Sequence, residues 1–484
     1  PFIVEAAVAA QSVASLAALS EFLDFSKEEP NSLPETFLYA AAFSPRPSGE
    51  LLHLVLDKLD GKQLAPEIWE TGIVAVGSLV GKLCQQKLCG LQQEVERGME
   101  TILRGLSGAE EEPEVVICLL ALGNAMLPGT IPTLLEHAEE GPAAVTTTAI
   151  SALRRFPARH ISSKVKRAMR RIFHEKRKSY DKTCRLAAAE ILLDNHPSPM
   201  DVINILLATK EMETEMAKLL LLKVQNSLHA HHHPARKIMK DIMGDPQINN
   251  YHFFSKVGAS SSFSGPLTVT QDLLSTFGLD LLFLEGGFLR KSVSEFSLFS
   301  CGRRLHAAQV TIEAQGMESM MGENTSDGEE EPELMAGMSV TFFDVQLRPI
   351  VFFQGYTDLM AKVLLSSGEP TSVVKGNLLL MDHHQVIPLQ SGLQVTIKLQ
   401  GGLGLDISAD MDVGIWEQEL KSSTNARGSL SMDFQAELDS PFLQATLRSQ
   451  TEVGTSIHFD TTLRFSSSPV LMCLQLRQEQ VPYR

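Results

Sequence analysis

Four sets of residues have types and spacings that could do chemistry. Gly77-Ser78-Leu79-Val80-Gly81-Lys82-Leu83 approaches a phosphate-cradling loop, but it is one residue short and Leu83 replaces the hydroxyl that would hold magnesium. Gly337-Met338-Ser339-Val340-Thr341 approaches a nucleophile elbow, but its second glycine is missing. His229-Ala230-His231-His232-His233-Pro234 could chelate a transition metal, although adjacent histidines before a proline more often form a solvated turn; His383-His384 is weaker still. Cys84 and Cys89 are close enough for a local disulfide, yet two ordinary thiols fit equally well, and no further zinc ligands lie nearby. No H-E-x-x-H or G-x-G-x-x-G occurs. The chain is therefore expected not to be an enzyme, with no catalytic residue, no metal and no cofactor.

Charge offers a different kind of chemistry. Residues 154–185 carry 13 basic and 2 acidic side chains, a net of +11, whereas residues 1–153 carry 8 basic and 21 acidic ones. Lys164, Lys166, Arg167, Arg170, Arg171 and Lys178 crowd one or two helices. They suit a solvated face balanced by neighbouring acids, or a dock for an acidic protein or lipid headgroup. Nucleic acid is not expected, because aromatics are few in this run and the whole chain has a net charge of −16. Arg185 lies on an apolar helix beside Cys184, so it should need a buried partner and is read as structural. The other four cysteines sit in apolar contexts and read as buried thiols.

The elements that must position these residues change type midway. The chain has 484 residues, 44% of them hydrophobic, enough for several domains with large cores and too apolar for disorder. No run of 18 unbroken apolar residues exists, so no membrane-spanning helix is expected. The start at Pro1 shows no targeting signal and reads as an excerpt of a longer polypeptide.

Helical periodicity fills the first half, in Val8–Leu23, Leu51–Leu59, Ile68–Leu83 and Val95–Leu106. Prolines 128, 157, 197 and 234 then recur at steps suited to helix-pair repeats of the HEAT type, which stack into a superhelix. The second half alternates with period two. The longest example is Leu393-Val395-Ile397-Leu399, an expected turn at Gly401-Gly402, then Leu403-Leu405-Ile407, Met411-Val413-Ile415, Leu430–Leu438 and Ile457–Phe465. The expected fold is α+β: an α-helical superhelix over 1–248, then antiparallel β-sheets over 249–484. The apolar strand faces must be covered by a second layer of protein or by lipid; the pattern leaves both open.

Two segments interrupt the strands. An acidic loop, Glu323–Glu333, contains the sole glycosylation sequon, at Asn324. Ser372–Asp382 carries Val373, Val374, Leu378, Leu379, Leu380 and Met381, and reads either as a buried strand or as an amphipathic helix that touches lipid.

Several runs resemble a known family. They are Lys166-Arg167-Ala168-Met169-Arg170-Arg171-Ile172-Phe173-His174, Thr183-Cys184-Arg185-Leu186-Ala187-Ala188-Ala189, Pro199-Met200-Asp201-Val202, Val310-Thr311-Ile312-Glu313-Ala314-Gln315-Gly316 and Phe343-Asp344-Val345-Gln346-Leu347-Arg348-Pro349. Shorter ones are Ser372–Gly376 and Leu389–Gly392. They are similar to the microsomal triglyceride transfer protein family, which with vitellogenin and apolipoprotein B makes up the large lipid transfer proteins. The resemblance covers essentially the whole chain and implies a superhelix followed by sheets that form a lipid cavity; the family's N-terminal barrel and extreme C-terminus are absent.

It further implies binding and transfer of triglyceride, cholesteryl ester and phospholipid between membranes in the endoplasmic reticulum lumen. Loading of apolipoprotein B, partnership with protein disulfide isomerase and transient contact with membrane surfaces follow from the same resemblance. On that reading Val373, Val374, Leu378, Leu379, Leu380, Met381, Leu393, Val395, Ile397, Leu405, Ile407, Val413 and Ile415 meet lipid. A Cys84–Cys89 disulfide suits the oxidising lumen, and Ser372–Asp382 falls where the family has a lipid-uptake helix. The alternatives are a vitellogenin-like lipid storage protein and a helical-repeat protein-binding scaffold.

Overall fold

The computed structural model describes residues 2–25, 33–60, 64–86, 93–230, 233–246, 248, 258–269, 273–284, 289–300, 303–316, 334–355, 371–388, 393–414, 419–439, 444–464 and 471–481. Fourteen helices among them precede twelve strands. The helices are α1 (Phe2–Ala10), α2 (Val13–Phe22), α3 (Leu33–Phe43), α4 (Gly49–Leu59), α5 (Pro66–Gln85), α6 (Gln93–Gly108), α7 (Glu112–Ala125), α8 (Ile131–Glu140), α9 (Ala143–Arg154), α10 (Ser163–Phe173), α11 (Lys182–Asp194), α12 (Pro199–Ala208), α13 (Thr214–His229) and α14 (Arg236–Met243). The strands are β1 (Ser261–Val269), β2 (Leu273–Phe283), β3 (Leu289–Ser300), β4 (Arg303–Gln315), β5 (Met335–Phe342), β6 (Val345–Gln346), β7 (Ile350–Gln354), β8 (Thr371–Pro388), β9 (Gln394–Gly414), β10 (Glu419–Asp439), β11 (Gln444–Arg464) and β12 (Leu471–Val481).

The chain divides into two compact units. One combines residues 1–63 with 360–484, and the other is 64–359.

In the 64–359 unit, helices pair across the predicted proline turns. Pro128, Pro157, Pro197 and Pro234 join α7 to α8, α9 to α10, α11 to α12 and α13 to α14. Proline fixes its own φ and keeps the preceding residue extended, so each helix stops where the chain must reverse. The odd helices α5, α7, α9, α11 and α13 stack on one another, and α8, α10, α12 and α14 flank them as a second row. Composition assigns the layers. α7 buries nine consecutive residues, Ile117–Ala125, and so needs neighbours all round, whereas α10 buries only Val165, Ala168, Met169, Ile172 and Phe173 along one stripe.

The Gly77 and Gly81 spacing that suggested a phosphate loop serves this stacking instead. Both residues lie inside α5 against the α7 backbone, and a Cβ at Gly81 would approach the Asn124 carbonyl to 2.6 Å. Lys82, next to it, is pushed down to about 7 by burial.

The sheet of this unit runs β1-β2-β3-β4-β5-β6, with β7 also on β5, all antiparallel. The β4 and β5 apolar residues are in neighbouring register, with Val310 opposite Val340 and Ile312 opposite Met338.

In the other unit, α1–α4 accompany a five-stranded meander, β12-β11-β10-β9-β8. The expected single helix Val8–Leu23 breaks at Gln11, whose φ is +44°, and Ser12 caps α2 by accepting from the Ser15 N–H at 3.1 Å. The expected turn at Gly401-Gly402 does not form. β9 runs unbroken for 21 residues through both glycines, paired with β10 on one side and β8 on the other. Hydrogen bonding from both neighbours outweighs the local turn preference of the glycines, and β8 bulges at Leu379–Met381 where it faces them.

Candidate functional site

The meander gathers most of the expected lipid-contacting residues onto one sheet. Val373, Val374, Leu378, Leu379, Leu380 and Met381 lie in β8, so this segment takes the strand rather than the helix alternative. Gly376 and Asn377 weaken a helix there, and the Val373-Val374 pair favours extended backbone. Val395, Ile397, Leu405, Ile407 and Val413 occupy alternate positions of β9. Leu393 immediately precedes β9, and Ile415 lies outside the described residues.

The register then builds one apolar face. Val374 is opposite Ile407 and Leu378 opposite Leu403. Val395 is opposite Leu438, Ile397 opposite Ala436, Leu403 opposite Leu430 and Val413 opposite Leu420. Ala436 continues to Leu447, Leu430 to Val453 and Leu420 to Leu463. Leu447 stands 64% exposed on this face. The opposite face is polar: Arg448 pairs with Asp433 at 2.6 Å, Arg477 with Asp460 at 3.5 Å and Lys398 with Glu437 at 3.8 Å.

The sheet of the 64–359 unit has the same two-faced pattern, but here helices cover the polar face. In α13, Lys223 reaches Glu190 of α11 and Asp280 of β2, the latter at 2.6 Å. Asp280 also accepts from the Ser262 hydroxyl at 2.5 Å, and Asn226 of α13 donates to Ser262 at 3.0 Å. Arg154 of α9 holds Glu190 at 2.8 Å and Glu295 of β3 at 3.9 Å; His306 lies 3.1 Å from Glu295. At the head of α11, Asp181 takes Arg290 at 3.0 Å, and Arg290 also binds Glu313 at 3.1 Å.

Electrostatics in this layer follow from burial. Glu190 and then Glu295 raise Arg154 against the desolvation that would lower it. Burial works to lower Lys223, and Glu190 with Asp280 more than reverses it. A second clamp holds the β5–β6 turn, where Phe343 and Asp344 both have positive φ, at 46° and 63°. Asn124 of α7 donates to the Gln346 carbonyl and accepts from its N–H, both at 2.9 Å; Arg155 donates to Asn124 at 2.6 Å and to the Asp344 carbonyl. Burial pulls Arg155 down to about 10.

By strand alternation, Asp280, Glu295 and Glu313 point toward the helices and their neighbours point away. The face turned away carries Phe263, Phe277, Leu279, Val310, Ile312, Met338, Val340 and Phe342. Phe263 and Phe277 are 55% and 40% exposed there, whereas Met338, Val340 and Phe342 at the β5 side are buried. Helices normally cover the apolar side of a sheet; in this unit they take the charged side.

Comparison with known proteins agrees. The family model for the microsomal triglyceride transfer protein large subunit, lipid-binding domain, matches residues 236–484. The chain belongs to this family. The vitellogenin TPR domain model matches residues 1–220. The microsomal triglyceride transfer protein of Megalobrama amblycephala is 43% identical over the whole chain, and the large subunits of Danio rerio and Homo sapiens are 42% and 41% identical. The chain spans about half the length of these curated relatives, 54% in each case. A solved lipovitellin structure matches 98% of the chain and 51% of its own, with a TM-score of 0.66 at 15% identity, which is a likeness of fold.

The remaining expected residues fall as follows. Arg185 donates through Nε to the Phe173 carbonyl at 3.1 Å and through a terminal nitrogen to Glu175 at 2.9 Å, tying α11 to the turn after α10. Cys118 and Cys184 are buried free thiols, and burial raises both to about 12. Cys301 lies outside the described residues, and of Cys473 only the backbone, in β12, is described. His233 meets Asp194 at 3.1 Å, while His231 and His232 lie outside the described residues, as do Cys89 and Asn324. Among the described residues no helix is long and apolar enough to cross a membrane. Sequence reasoning missed Asn124, Arg154, Arg155, Glu190 and Lys223. Their signal was a polar residue inside an apolar helical run, as in Leu219-Leu220-Leu221-Leu222-Lys223-Val224.

Proposed function

We propose that this chain is the lipid-holding portion of a lipid transfer protein. It binds triglyceride, cholesteryl ester and phospholipid on apolar strand faces, shuttles them between membranes and loads apolipoprotein B during lipoprotein assembly. The observation that carries this reading is the inverted helix–sheet layer of the 64–359 unit. Its helices engage the charged face, and at the β1–β2 side the apolar face leaves Phe263 and Phe277 exposed. Neutral lipid gains from such a surface at about 25 cal/mol per Å² of apolar area taken out of water, with no bond made or broken. No enzymatic role is proposed.

The work is divided between a helical part, 1–248, and a lipid-binding part, 249–484. Val374, Leu378, Val395, Ile397, Leu405, Ile407 and Val413 act on the lipid-facing side of the meander, and Val373, Leu379, Leu380, Met381, Leu393 and Ile415 are proposed to meet lipid with them. Arg185 is structural. The endoplasmic reticulum lumen is the proposed compartment and protein disulfide isomerase the proposed partner; the relatives are microsomal by name. A Cys84–Cys89 disulfide and a glycan at Asn324 belong to the same reading.

The test uses the full-length protein with its partner. It should carry neutral lipid on purification and move labelled triglyceride between vesicles. Leu447→Asp, at an exposed position, should lower lipid loading without lowering the unfolding temperature. A protein that purifies lipid-free and moves no label overturns the proposal.

A further inference from the structure

The helices of the 64–359 unit carry more positive charge than their ion pairs consume. Of the 13 cations in residues 154–185, several are matched. Arg170 pairs with Asp201 at 2.5 Å, Arg171 with Glu139 at 2.6 Å, Lys182 with Glu213 at 2.6 Å and Arg185 with Glu175 at 2.9 Å. Others meet no carboxylate among the described residues. Lys166 donates to the His196 carbonyl at 3.0 Å, and Lys178 donates to the Gly141 carbonyl at 2.5 Å and lies 5.0 Å from the centre of the Tyr180 ring. Arg159, Lys164, Arg167 and Lys176 are exposed.

Helical spacing gathers this charge into a ridge. α10 buries its apolar stripe and turns Lys164 and Arg167 outward, one turn apart. α12 is fastened beside it by the Arg170–Asp201 pair and by Lys166. On α12, Met200 and Leu207 share a face and stand 60% and 40% exposed. On the far side the ridge ends at α8, where Glu136 and Glu140 are exposed and the sign reverses.

We propose that the α10–α12 ridge docks on an anionic phospholipid surface. Long, unpaired cations suit a fluid layer of headgroups, which needs no fixed partner geometry. The two protruding aliphatic side chains fit the boundary between headgroups and acyl chains. A protein interface of this strength would be expected to centre on an aromatic or arginine anchor in a desolvated pocket. On α10 the one aromatic, Phe173, is buried inside the unit, and α12 has none. Lipid transfer gives the ridge a reason to visit a membrane, but docking is read without any transfer step.

The experiment is vesicle flotation of the full-length protein with its partner. It compares phosphatidylcholine vesicles with vesicles in which about a third of the lipid is phosphatidylserine. The anionic vesicles should float the protein, and rising salt should release it. The triple variant K164Q/R167Q/K176Q, altered only at exposed positions, should bind roughly 10- to 100-fold more weakly. M200S/L207S should lose less.

Equal binding to the two vesicle types overturns the proposal, as does binding by the unaltered protein that ignores salt. A triple variant that keeps the wild-type unfolding temperature and full vesicle binding does the same. Retention of polyglutamate with no vesicle binding assigns the ridge to an acidic protein and also overturns it. Neutral lipid carried on the purified triple variant is measured separately, so loss of docking with lipid retained leaves the lipid-holding reading standing.

Discussion

The two sheets have the same strand pattern and opposite economies of charge. In the β8–β12 meander the polar face meets water: Arg448 and Arg477 are 60% and 59% exposed, and their pairs with Asp433 and Asp460 are screened. In the β1–β7 sheet the polar face is pressed against helices, and Lys223 and Arg290 are 17% and 3% exposed. Alternation alone does not say which face of a sheet the protein will cover. What distinguishes the two is whether helices supply partners to the charges of the sheet, as α9 does through Arg154 and α13 through Lys223. Lys223 is matched across 33 residues to Glu190 and 57 to Asp280.

The comparison breaks most readily at Lys223. Lys223→Ala removes one cation and leaves Asp280 without its ionic partner, while Glu190 keeps Arg154. The expected loss is about 3–5 kcal/mol in denaturant unfolding, because an unpaired buried charge costs more than the pair contributes. Neutralising both acids as well, in K223M/E190Q/D280N, should recover part of that loss. If Lys223→Ala unfolds like the wild type, the helix-covered face is not held by its charges.

Next in size is the clamp on the β5–β6 turn. Asn124→Ala orphans the Gln346 carbonyl and N–H and removes one partner of Arg155. Two non-glycine residues at positive φ need that support. A loss of about 1–3 kcal/mol is expected, with faster hydrogen exchange at the turn.

Legibility followed the range of the interactions. The stripe from Val395 to Val413 could be read because period two is set by the backbone and persists through Gly401-Gly402 in phase. The glycines misled because a turn signal is local, while the pairing of β8 and β10 on either side is not. Ser372–Asp382 stayed ambiguous for a related reason: its leucines suit a helix until neighbouring strands supply the hydrogen bonds. The proline punctuation marked all four helix-pair turns, because proline acts through its own φ. Asn124 and Arg155 were illegible, since their work is to hold a turn some 190 to 220 residues away. Gly77 and Gly81 were visible as unusual spacing, but only the α7 backbone explains them.

Acid separates the two sheets by a smaller effect. Asp181 is desolvated, which would raise it, yet Arg290 and Thr183 hold it below its ordinary value. A carboxylate depressed in the fold adds stability above its unfolded pKa, and that stability is lost as pH falls through the folded value. Unfolding monitored from neutral pH downward should therefore weaken below about pH 4, and Asp181→Asn should flatten that part of the curve. Asp433 is also depressed, through its hydrogen bond from Arg448, but in the open. Asp433→Asn should leave the same acid limb in place. An equal response from both variants would mean that covering the polar face adds nothing to what its charges do.

The smallest effect is the control that gives the others their meaning. Arg448→Ala removes a bidentate pair with Asp433, made at 3.2 and 2.6 Å. Geometry that good would matter greatly if buried. At an exposed strand position both ions keep their hydration, side-chain ordering offsets the attraction, and salt screens the remainder. The unfolding midpoint should therefore stay within measurement error of wild type, and high salt should erase any residual difference. A clear loss of stability that salt does not remove would show that the polar face of the meander is also covered, and the contrast between the two sheets would disappear.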